Sequence, residues 1–326
     1  MPGEFEIIRR YFANASGDHP QVQLGIGDDC ALTTLPPDTQ LALSIDTLVE
    51  GVHFLPDIAP ADLAWRLLGS AVSDLAAMGA SPAWITLALT LKDSDTEWLE
   101  QFSEGLAEAC QQYGVSLIGG DTTSGEINVL SAQVHGFVAT GKGLKRSGAQ
   151  PGDLIFVSGS LGDSRAGLAT LKDELAVNEY LLGRYLRPTP RVELGVALRD
   201  IASAAIDISD GLLADLGHIL EQSKVAAEIE CNQLPISEVL AQSVSQSCAD
   251  HWALTGGEDF ELCFTVPSEK RASVVALSKS LALNLTEIGC IVAGEGIHLT
   301  DNGVAKALPE TFGFDHFQKQ GNPLYE

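Results

Sequence analysis

The sequence predicts a two-domain α/β protein, and three observations carry the prediction. The chain has 326 residues, which is long enough for two domains that each bury a core. Hydrophobic residues make up 45% and charged residues only 19%, as is typical of a soluble globular chain rather than a disordered one. Helical and strand-like patterns alternate along the chain. Residues 142–153, rich in glycine with one proline, are the best linker candidate, so we predict domains over 1–144 and 145–326.

The first domain is predicted to begin with a short amphipathic helix over residues 5–12. Pro60 starts a longer helix that Gly79 ends, and Asp95 and Gly114 cap another. The predicted helices after the first are therefore 60–78 and 96–113. The predicted strands are 30–35, 41–49, 84–91, 115–118 and 128–140.

The second domain repeats this alternation. A strand over 154–157 is followed by the glycine-rich loop 159–167, which leads into a helix. Pro188 and Pro190 break two helices. The remaining predictions are strands 204–208, 260–266 and 285–292, helices 212–222 and 269–281, and a turn at 301–303.

The charge balance limits the classes of partner. With 19 basic and 44 acidic residues the net charge is −25, which argues against nucleic acid and anionic membranes and requires cations for any anionic substrate. The six cysteines show no zinc-binding spacing, and the N-terminus has no secretory pattern. No apolar run is long enough to span a membrane. We therefore expect a cytoplasmic protein with reduced cysteines.

Aspartates beside glycines or at the ends of apolar runs are the most informative pattern. Asp28 and Asp29 are adjacent, and at about 4 Å and an effective dielectric constant of about 20 two such carboxylates repel by roughly 4 kcal/mol. Such a pair belongs in solvent, on a turn or around a cation. The pattern recurs at Ser44-Ile45-Asp46, Ser73-Asp74, Gly119-Gly120-Asp121 and Asp207-Ile208-Ser209-Asp210-Gly211. These carboxylates are predicted at strand ends, where α/β proteins build their sites. Hard oxygen ligands of this kind suit Mg²⁺ that also binds substrate phosphates.

Asp74 is the most telling single residue of this set. The predicted helix exposes a wet face formed by Asp62, Arg66, Ser70 and Ser73, whereas Asp74 lies over apolar neighbours. A carboxylate on such a semi-buried face needs a partner or a metal, unless it reaches water at the edge of the face. The recurrence of similar aspartates favours the metal.

Other motifs are less specific. Residues 136–143 approach the P-loop pattern, but Gly143 replaces its Ser or Thr and no helix follows, so we reject a P-loop. The loop 159–167 is either an anion site at a helix start or a plain turn. His53 follows a predicted strand end, and the alternative for it is a solvent-exposed loop histidine. Arg146 is a rare basic residue at the predicted linker. Glu258 repeats the pattern of an acidic residue beside glycine.

Taken together and in order, these motifs closely resemble the thiamine-monophosphate kinase family of the aminoimidazole ribonucleotide synthetase-like superfamily. The resemblance runs from about residue 3 to residue 317. It rests on Gly27-Asp28-Asp29-Cys30-Ala31, residues 46–54, residues 73–80, Gly119-Gly120-Asp121-Thr122, residues 207–212 and Gly256-Gly257-Glu258-Asp259-Phe260-Glu261-Leu262.

The resemblance implies an N-terminal α/β domain whose strands form a β-barrel across a homodimer, a C-terminal α+β domain, and a cleft that holds ATP, several Mg²⁺ ions and thiamine monophosphate; a monovalent cation is a further candidate. It implies metal ligands at Asp29, Ser44, Ile45 (backbone carbonyl), Asp46, Asp74, Asp121, Asp207 and Asp210, of which Asp74, Asp121 and Asp210 are the catalytic candidates. The implied ATP contacts are Gly120, Asp121, Arg146, Ser209 and Tyr113. The implied acceptor contacts are His53, Glu258 and Phe314, with Phe317 as the other aromatic of that segment.

The activity implied is phosphorylation of thiamine monophosphate to thiamine diphosphate by direct transfer from ATP. Within the superfamily, selenophosphate synthetases are disfavoured because no cysteine precedes Cys30, and hydrogenase-maturation relatives because the chain ends without a cysteine. The alternative from another class is a catalytically silent regulatory protein that binds divalent cations. The complete acidic set together with Arg146 argues against it.

Overall fold

The computed structural model describes residues 3–13 and 19–314. These residues form two compact units: one contains the residues up to 75 together with 80–141, and the other contains 76–79 and 142–314. We call them the N-terminal and the C-terminal unit. That residues 1–144 and 145–326 are separately folding domains stays a prediction.

A four-stranded sheet and two long helices dominate the N-terminal unit. The helices are α1 (Glu4–Ile7), which continues as a π-helical turn Ile8–Phe12, α2 (Pro60–Ala77) and α3 (Thr96–Tyr113). The strands are β1 (Val22–Leu24), β2 (Leu32–Thr33), β3 (Thr39–Val49), β4 (Ser81–Leu91), β5 (Ser116–Ser124) and β6 (Val129–Ala139). The sheet has the order β3-β6-β4-β5, with only β4 and β5 parallel, while β1 and β2 pair separately.

The two ends of α3 are built as its sequence predicts. The Asp95 side chain accepts a hydrogen bond from the Glu97 backbone N–H, and Gly114 adopts a left-handed conformation with φ 68°. The cap satisfies one of the otherwise unpaired N–H groups of the first turn, and glycine adopts positive φ without a Cβ clash. Both predicted helix limits are confirmed.

The predictions for one strand and one helix face of this unit are wrong. The strand expected over 30–35 is only Leu32–Thr33, because the preceding aspartate-rich residues form turns. The face of α2 predicted to be wet is buried, since Arg66, Ser70 and Ser73 are at most 6% exposed. Burial is tolerated where polar atoms find partners: the Arg66 guanidinium donates to the His53 carbonyl, and the Ser70 hydroxyl donates to the Leu67 carbonyl.

The sheet of the N-terminal unit is buried on one face only. Side chains of β6 alternate between buried and half-buried along the strand, as a two-sided sheet requires. On the other face of β3, Leu41, Leu43 and Ile45 are 37–60% exposed. Within the described residues the sheet is open, and no barrel closes within one chain.

A seven-stranded mixed sheet forms the centre of the C-terminal unit. Its strands are β7 (Leu154–Ser158), β8 (Ala204–Asp207), β9 (Ala226–Glu230), β10 (Leu262–Val266), β11 (Leu285–Val292), β12 (Gly296–Asp301) and β13 (Val304–Lys306), in the order β13-β12-β9-β11-β7-β10-β8. Its helices are α4 (Asp163–Leu171), α5 (Glu179–Leu186), α6 (Val192–Leu198), α7 (Leu212–Ser223), α8 (Glu238–Ser243), α9 (Gln246–Thr255) and α10 (Arg271–Ser280).

Two of the apolar clusters in the core of this unit share the sheet. One includes Ile155, Ile206 and Cys263 from the strands, together with α7. The other includes Phe156, Phe264 and α6. Successive residues of β7 and β10 enter different clusters, so both faces of the central strands are covered. In the described residues, no helix combines the length and apolarity that a membrane span requires.

Candidate active site

A serine and an aspartate from neighbouring elements meet in the N-terminal unit. The Ser44 hydroxyl of β3 donates to the Asp74 Oδ2 atom of α2 at 2.5 Å, and both residues are half-buried. Asp74 therefore lies on a semi-buried helix face, as the sequence predicts. Ser44, which contacts it, also belongs to the predicted set of metal ligands. Two oxygen donors this close and partly shielded from water fit a hard cation such as Mg²⁺.

Two other predicted ligands lie inside strands rather than at their ends. Asp46 is the eighth residue of β3, opposite Ala132, and Asp121 is the sixth residue of β5, opposite Ala88. The expected strand-end position is therefore wrong for these two residues. The reason is that the ladders with β6 and β4 continue past the apolar runs from which the strand ends were inferred.

Gly120 has a structural requirement of its own. A Cβ atom at this position would lie 1.9 Å from the Leu87 carbonyl oxygen of the neighbouring strand. Only glycine permits that approach. The position next to Asp121 is thus fixed by strand packing, whatever contact Gly120 makes with a ligand.

The adjacent aspartates near the N-terminus are exposed. The Asp28 carboxylate accepts a hydrogen bond from the Asp29 backbone N–H at 3.0 Å, as in an ordinary turn.

Within residues 3–13 and 19–314, no group of three or more His, Cys, Asp or Glu side chains is arranged to hold a metal ion. The assignment of the eight metal ligands therefore stays a prediction.

His53 is fixed at the end of β3 by three backbone contacts. Its Nδ1 accepts from the Val49 N–H at 3.0 Å, its own N–H donates to the Val49 carbonyl, and its carbonyl accepts from Arg66. Because Nδ1 is an acceptor, the neutral imidazole carries its proton on Nε2. The ring is half-buried, so His53 is not the solvent-exposed loop histidine that the sequence left as the alternative.

Tyr113 is the last residue of α3. Its ring meets the Trp65 ring edge to face, with the centroids 5.5 Å apart. Such pairs fix the orientation of both rings. The arrangement gives Tyr113 a packing role beside the implied contact with ATP.

In the C-terminal unit, one buried carboxylate shapes the loop that carries Ser209 and Asp210. The Asp215 Oδ2 atom accepts from the backbone N–H groups of Ser209, Asp210 and Gly211, each at 3.0 Å. Burial, and secondarily the charge of Asp210, raises the pKa of Asp215 to about 7, against the effect of the three N–H donors. Asp207, which ends β8 just before this loop, is buried.

The acceptor-binding candidates Glu258 and Phe314 contact the same loop. The Glu258 N–H donates to the Ser209 carbonyl at 2.8 Å, and the Phe314 N–H donates to the Asp210 carbonyl at 3.1 Å. A Cβ atom at Gly313 would lie 2.4 Å from the Asp210 oxygen, so this approach also needs glycine. The structure therefore brings Ser209, Asp210, Glu258 and Phe314 together, while Phe317 lies outside the described residues.

Arg146 is exposed, and its main chain is tied to the C-terminal end of α7. Its carbonyl accepts from the Ser223 hydroxyl, which in turn accepts from the Gly148 and Ala149 N–H groups. The backbone is anchored while the guanidinium reaches solvent. This is a suitable geometry for a cation that binds a mobile anion such as a nucleotide phosphate.

The glycine-rich loop 159–167 is not an open anion site. At the start of α4, the N–H groups of Gly162 and Ser164 donate to the Asp259 carboxylate at 2.6 and 3.0 Å. The anion at this helix N-terminus belongs to the chain itself. Of the two readings that the sequence left open, a structural turn is the one observed.

Comparison with known proteins agrees with the fold and with the motifs. Residues 27–138 match the AIR synthase related protein N-terminal domain, and residues 150–302 match the corresponding C-terminal domain. The thiamine-monophosphate kinase of Salmonella typhimurium strain LT2 is 50% identical over 324 residues, which cover 97% of this chain and 98% of that protein.

Several solved structures are similar over most of the chain. The thiamine-monophosphate kinase from Stenotrophomonas maltophilia K279a has a TM-score of 0.83 and 45% identity, and covers 88% of this chain and 93% of its own. AaThiL complexed with AMPPCP and TMP has a TM-score of 0.76 and 36% identity, with 90% and 92% coverage.

The fold, with its two matched domains, makes this chain a member of the AIR synthase related class. Its aspartate motifs and its identity with curated relatives over nearly the whole length place it more narrowly. The chain belongs to the thiamine-monophosphate kinase family. The resemblance stated from the motifs is confirmed.

Proposed function

We propose that this chain transfers the γ-phosphoryl group of ATP to the phosphate of thiamine monophosphate, giving thiamine diphosphate and ADP. The observation that carries the proposal is 50% identity with a thiamine-monophosphate kinase across 97% of the chain. The AaThiL relative was captured with AMPPCP, a non-hydrolysable analogue of ATP, and with TMP. A net charge of −25 agrees with a site that recruits cations to bind two phosphorylated substrates.

The acceptor is itself a phosphate that is ionised at neutral pH, so it needs no general base. The task of the protein is to align two anionic groups and to neutralise their repulsion. In the N-terminal unit, His53 contacts the acceptor. In the C-terminal unit, Glu258 and Phe314 contact the acceptor, and Arg146 and Ser209 contact ATP.

Magnesium is the cation that best suits the donor set. In the N-terminal unit, the residues that would hold Mg²⁺ ions are Asp29, Ser44, Asp46, Asp74 and Asp121, with the Ile45 carbonyl. In the C-terminal unit they are Asp207 and Asp210. All are hard oxygen donors. When bound, Mg²⁺ supplies positive charge that screens the phosphates and stabilises the charge of the transition state. The 2.5 Å contact between Ser44 and Asp74 supports this assignment.

We further propose that the open sheet face of the N-terminal unit pairs with the same face of a second copy to form a barrel. Leu41, Leu43 and Ile45 expose apolar surface there, which is costly to leave in water. Sedimentation equilibrium should give twice the chain mass for the wild type and a lower mass for Leu43→Asp. A monomeric wild type would contradict the dimer.

The cytoplasmic location expected from the sequence stays a prediction.

The activity is tested by ADP release from ATP and Mg²⁺ with different acceptors. We expect release with thiamine monophosphate, and only background release with unphosphorylated thiamine or without an acceptor. Excess EDTA should abolish the signal, and added Mg²⁺ should restore it. Equal ADP release with and without thiamine monophosphate would contradict the proposed acceptor and favour another enzyme of the superfamily.

A further inference from the structure

The segment that carries Glu258 has an unusual backbone. Glu258 and Phe260 have φ values of 67° and 50°, which are left-handed conformations that residues other than glycine rarely adopt. Between them lies Asp259, which is fully buried. Two such residues in one short segment persist only when surrounding contacts hold them there, and strain of this kind concentrates at functional sites.

One set of contacts holds Asp259. Its carboxylate accepts from the N–H groups of Gly162 and Ser164 at the start of α4, at 2.6 and 3.0 Å. Its backbone carbonyl accepts from the Arg184 guanidinium at 3.1 Å. The residue between the two strained positions is therefore fixed through both its side chain and its main chain.

A second set of contacts holds Glu261, which is also fully buried. The Arg191 Nε donates to its Oε2 at 2.6 Å and the Arg191 Nη2 donates to its Oε1, while Arg184 donates to Oε1 at 2.9 Å and Ser158 to Oε2 at 2.6 Å. Burial disfavours the charge, but the Arg191 hydrogen bonds and both guanidinium charges hold the pKa of Glu261 below its ordinary value. The bidentate fork of Arg191 fixes both position and direction.

These anchors act on the proposed substrate loop through three backbone hydrogen bonds. The N–H of Glu258 donates to the Ser209 carbonyl, that of Phe260 donates to the Ile208 carbonyl, and that of Ile208 donates to the Glu261 carbonyl, at 2.8 to 2.9 Å. A shift of Glu261 would therefore move the backbone of Glu258, whereas the Ser209 loop keeps an anchor of its own in its N–H hydrogen bonds to Asp215. Glu258 itself is half-buried, and its backbone N–H joins the anchored segment to the Ser209 loop.

We propose that Arg184 and Arg191, acting through Asp259 and Glu261, are positioning residues that hold Glu258 in its left-handed conformation for binding of the phosphorylated acceptor. This rests on the proposed function, in which Glu258 contacts thiamine monophosphate. In this proposal the arginines act through Glu258 rather than by binding the substrate themselves. They set the geometry of the residue that does.

Arg191 is the residue to change, because Glu261 keeps Arg184 and Ser158 as partners when Arg191 is replaced. Arg191→Gln should raise KM for thiamine monophosphate roughly tenfold and leave KM for ATP within about twofold. Arg191→Lys keeps the charge without the fork and should give an intermediate KM. The matched control is Arg271→Gln, which removes an exposed Arg–Glu pair at 2.6 Å in the same unit and should leave both KM values unchanged.

A double-mutant cycle with Glu258→Gln tests the route of the effect. If Arg191 acts through Glu258, the KM effect of Arg191→Gln should largely vanish in the Glu258→Gln background. Full additivity would overturn the proposal, as would a fall in melting temperature in both Arg191 variants with wild-type KM for thiamine monophosphate. If Arg191→Gln does not fold, Arg191→Lys carries the same test. A wild-type protein that does not use thiamine monophosphate would refute the proposed function instead, which is a separate result.

Discussion

Replacing Asp74 by asparagine is expected to reduce kcat by roughly 10²–10³-fold, the size of effect seen when one electrostatic stabiliser of a transition state is removed. The amide keeps the shape of the side chain and can still accept from Ser44, whose hydroxyl lies 2.5 Å from Asp74 Oδ2. It lacks the full negative charge that draws a divalent cation to this half-buried position. Steady-state kinetics at saturating ATP, thiamine monophosphate and Mg²⁺ measure the effect.

The matched control is Glu108→Gln, an acid-to-amide change at an exposed position of α3 in the same unit. We expect wild-type turnover for this variant and melting temperatures within about 2 °C of the wild type for both variants. Near-wild-type turnover of Asp74→Asn at saturating Mg²⁺ would refute the role of Asp74 in binding the metal.

Arg146→Ala is expected to raise KM for ATP by roughly tenfold to a hundredfold, because an arginine that binds a phosphate makes charge-assisted and often bidentate hydrogen bonds. KM for thiamine monophosphate should change much less. Stability should be retained, since Arg146 is exposed and only its backbone carbonyl is used to join the loop to Ser223.

Two further variants make the Arg146 experiment discriminating. Lys145→Ala removes the neighbouring exposed cation and should have little effect on either KM, which separates a specific contact from general charge. His53→Ala should raise KM for thiamine monophosphate rather than that for ATP. If the two variants gave the reverse pattern, the roles assigned to Arg146 and His53 would have to be exchanged.

Much of the fold could be predicted because local rules and tertiary structure agree. The limits of α3 follow from Asp95 and Gly114, and their cap geometry is the one observed. The solvent-exposed face predicted for α2 is wrong because tertiary contacts there override the local helical pattern. Arg66 and Ser70 obtain buried partners from His53 and Leu67, and no helical pattern reveals such partners in advance.

The candidate site could be predicted where a motif places its own residues together, as in the loop around Ser209 and Asp210. The residue that shapes this loop, Asp215, was missed. A signal was present: Asp215 lies on the same helical face as Leu212, Leu216 and Ile219, all of which are buried. A carboxylate on such a face needs a partner or a metal, as Asp74 does.

The partners of Asp259 and Glu261 could not be predicted from spacing. Arg184 and Arg191 precede Glu261 by 70 residues or more in the sequence, and the contact arises only when α5 and the residue before α6 lie beside the end of β8 and the start of β10. Long-range charge pairs of this kind leave no periodic signal. They must be read from the folded chain.

Phosphate is proposed to pass from ATP directly to thiamine monophosphate, and ATP labelled in the γ-phosphate distinguishes this route from a phosphoenzyme. The enzyme is incubated with Mg²⁺ and ATP labelled in the γ-phosphate, first alone and then with thiamine monophosphate. Direct transfer predicts no label on the protein in the first step and label in the terminal phosphate of thiamine diphosphate in the second. Stoichiometric label on an aspartate or on His53, chased into thiamine diphosphate at the rate of turnover, would contradict direct transfer, and unlabelled thiamine diphosphate would contradict ATP as the donor.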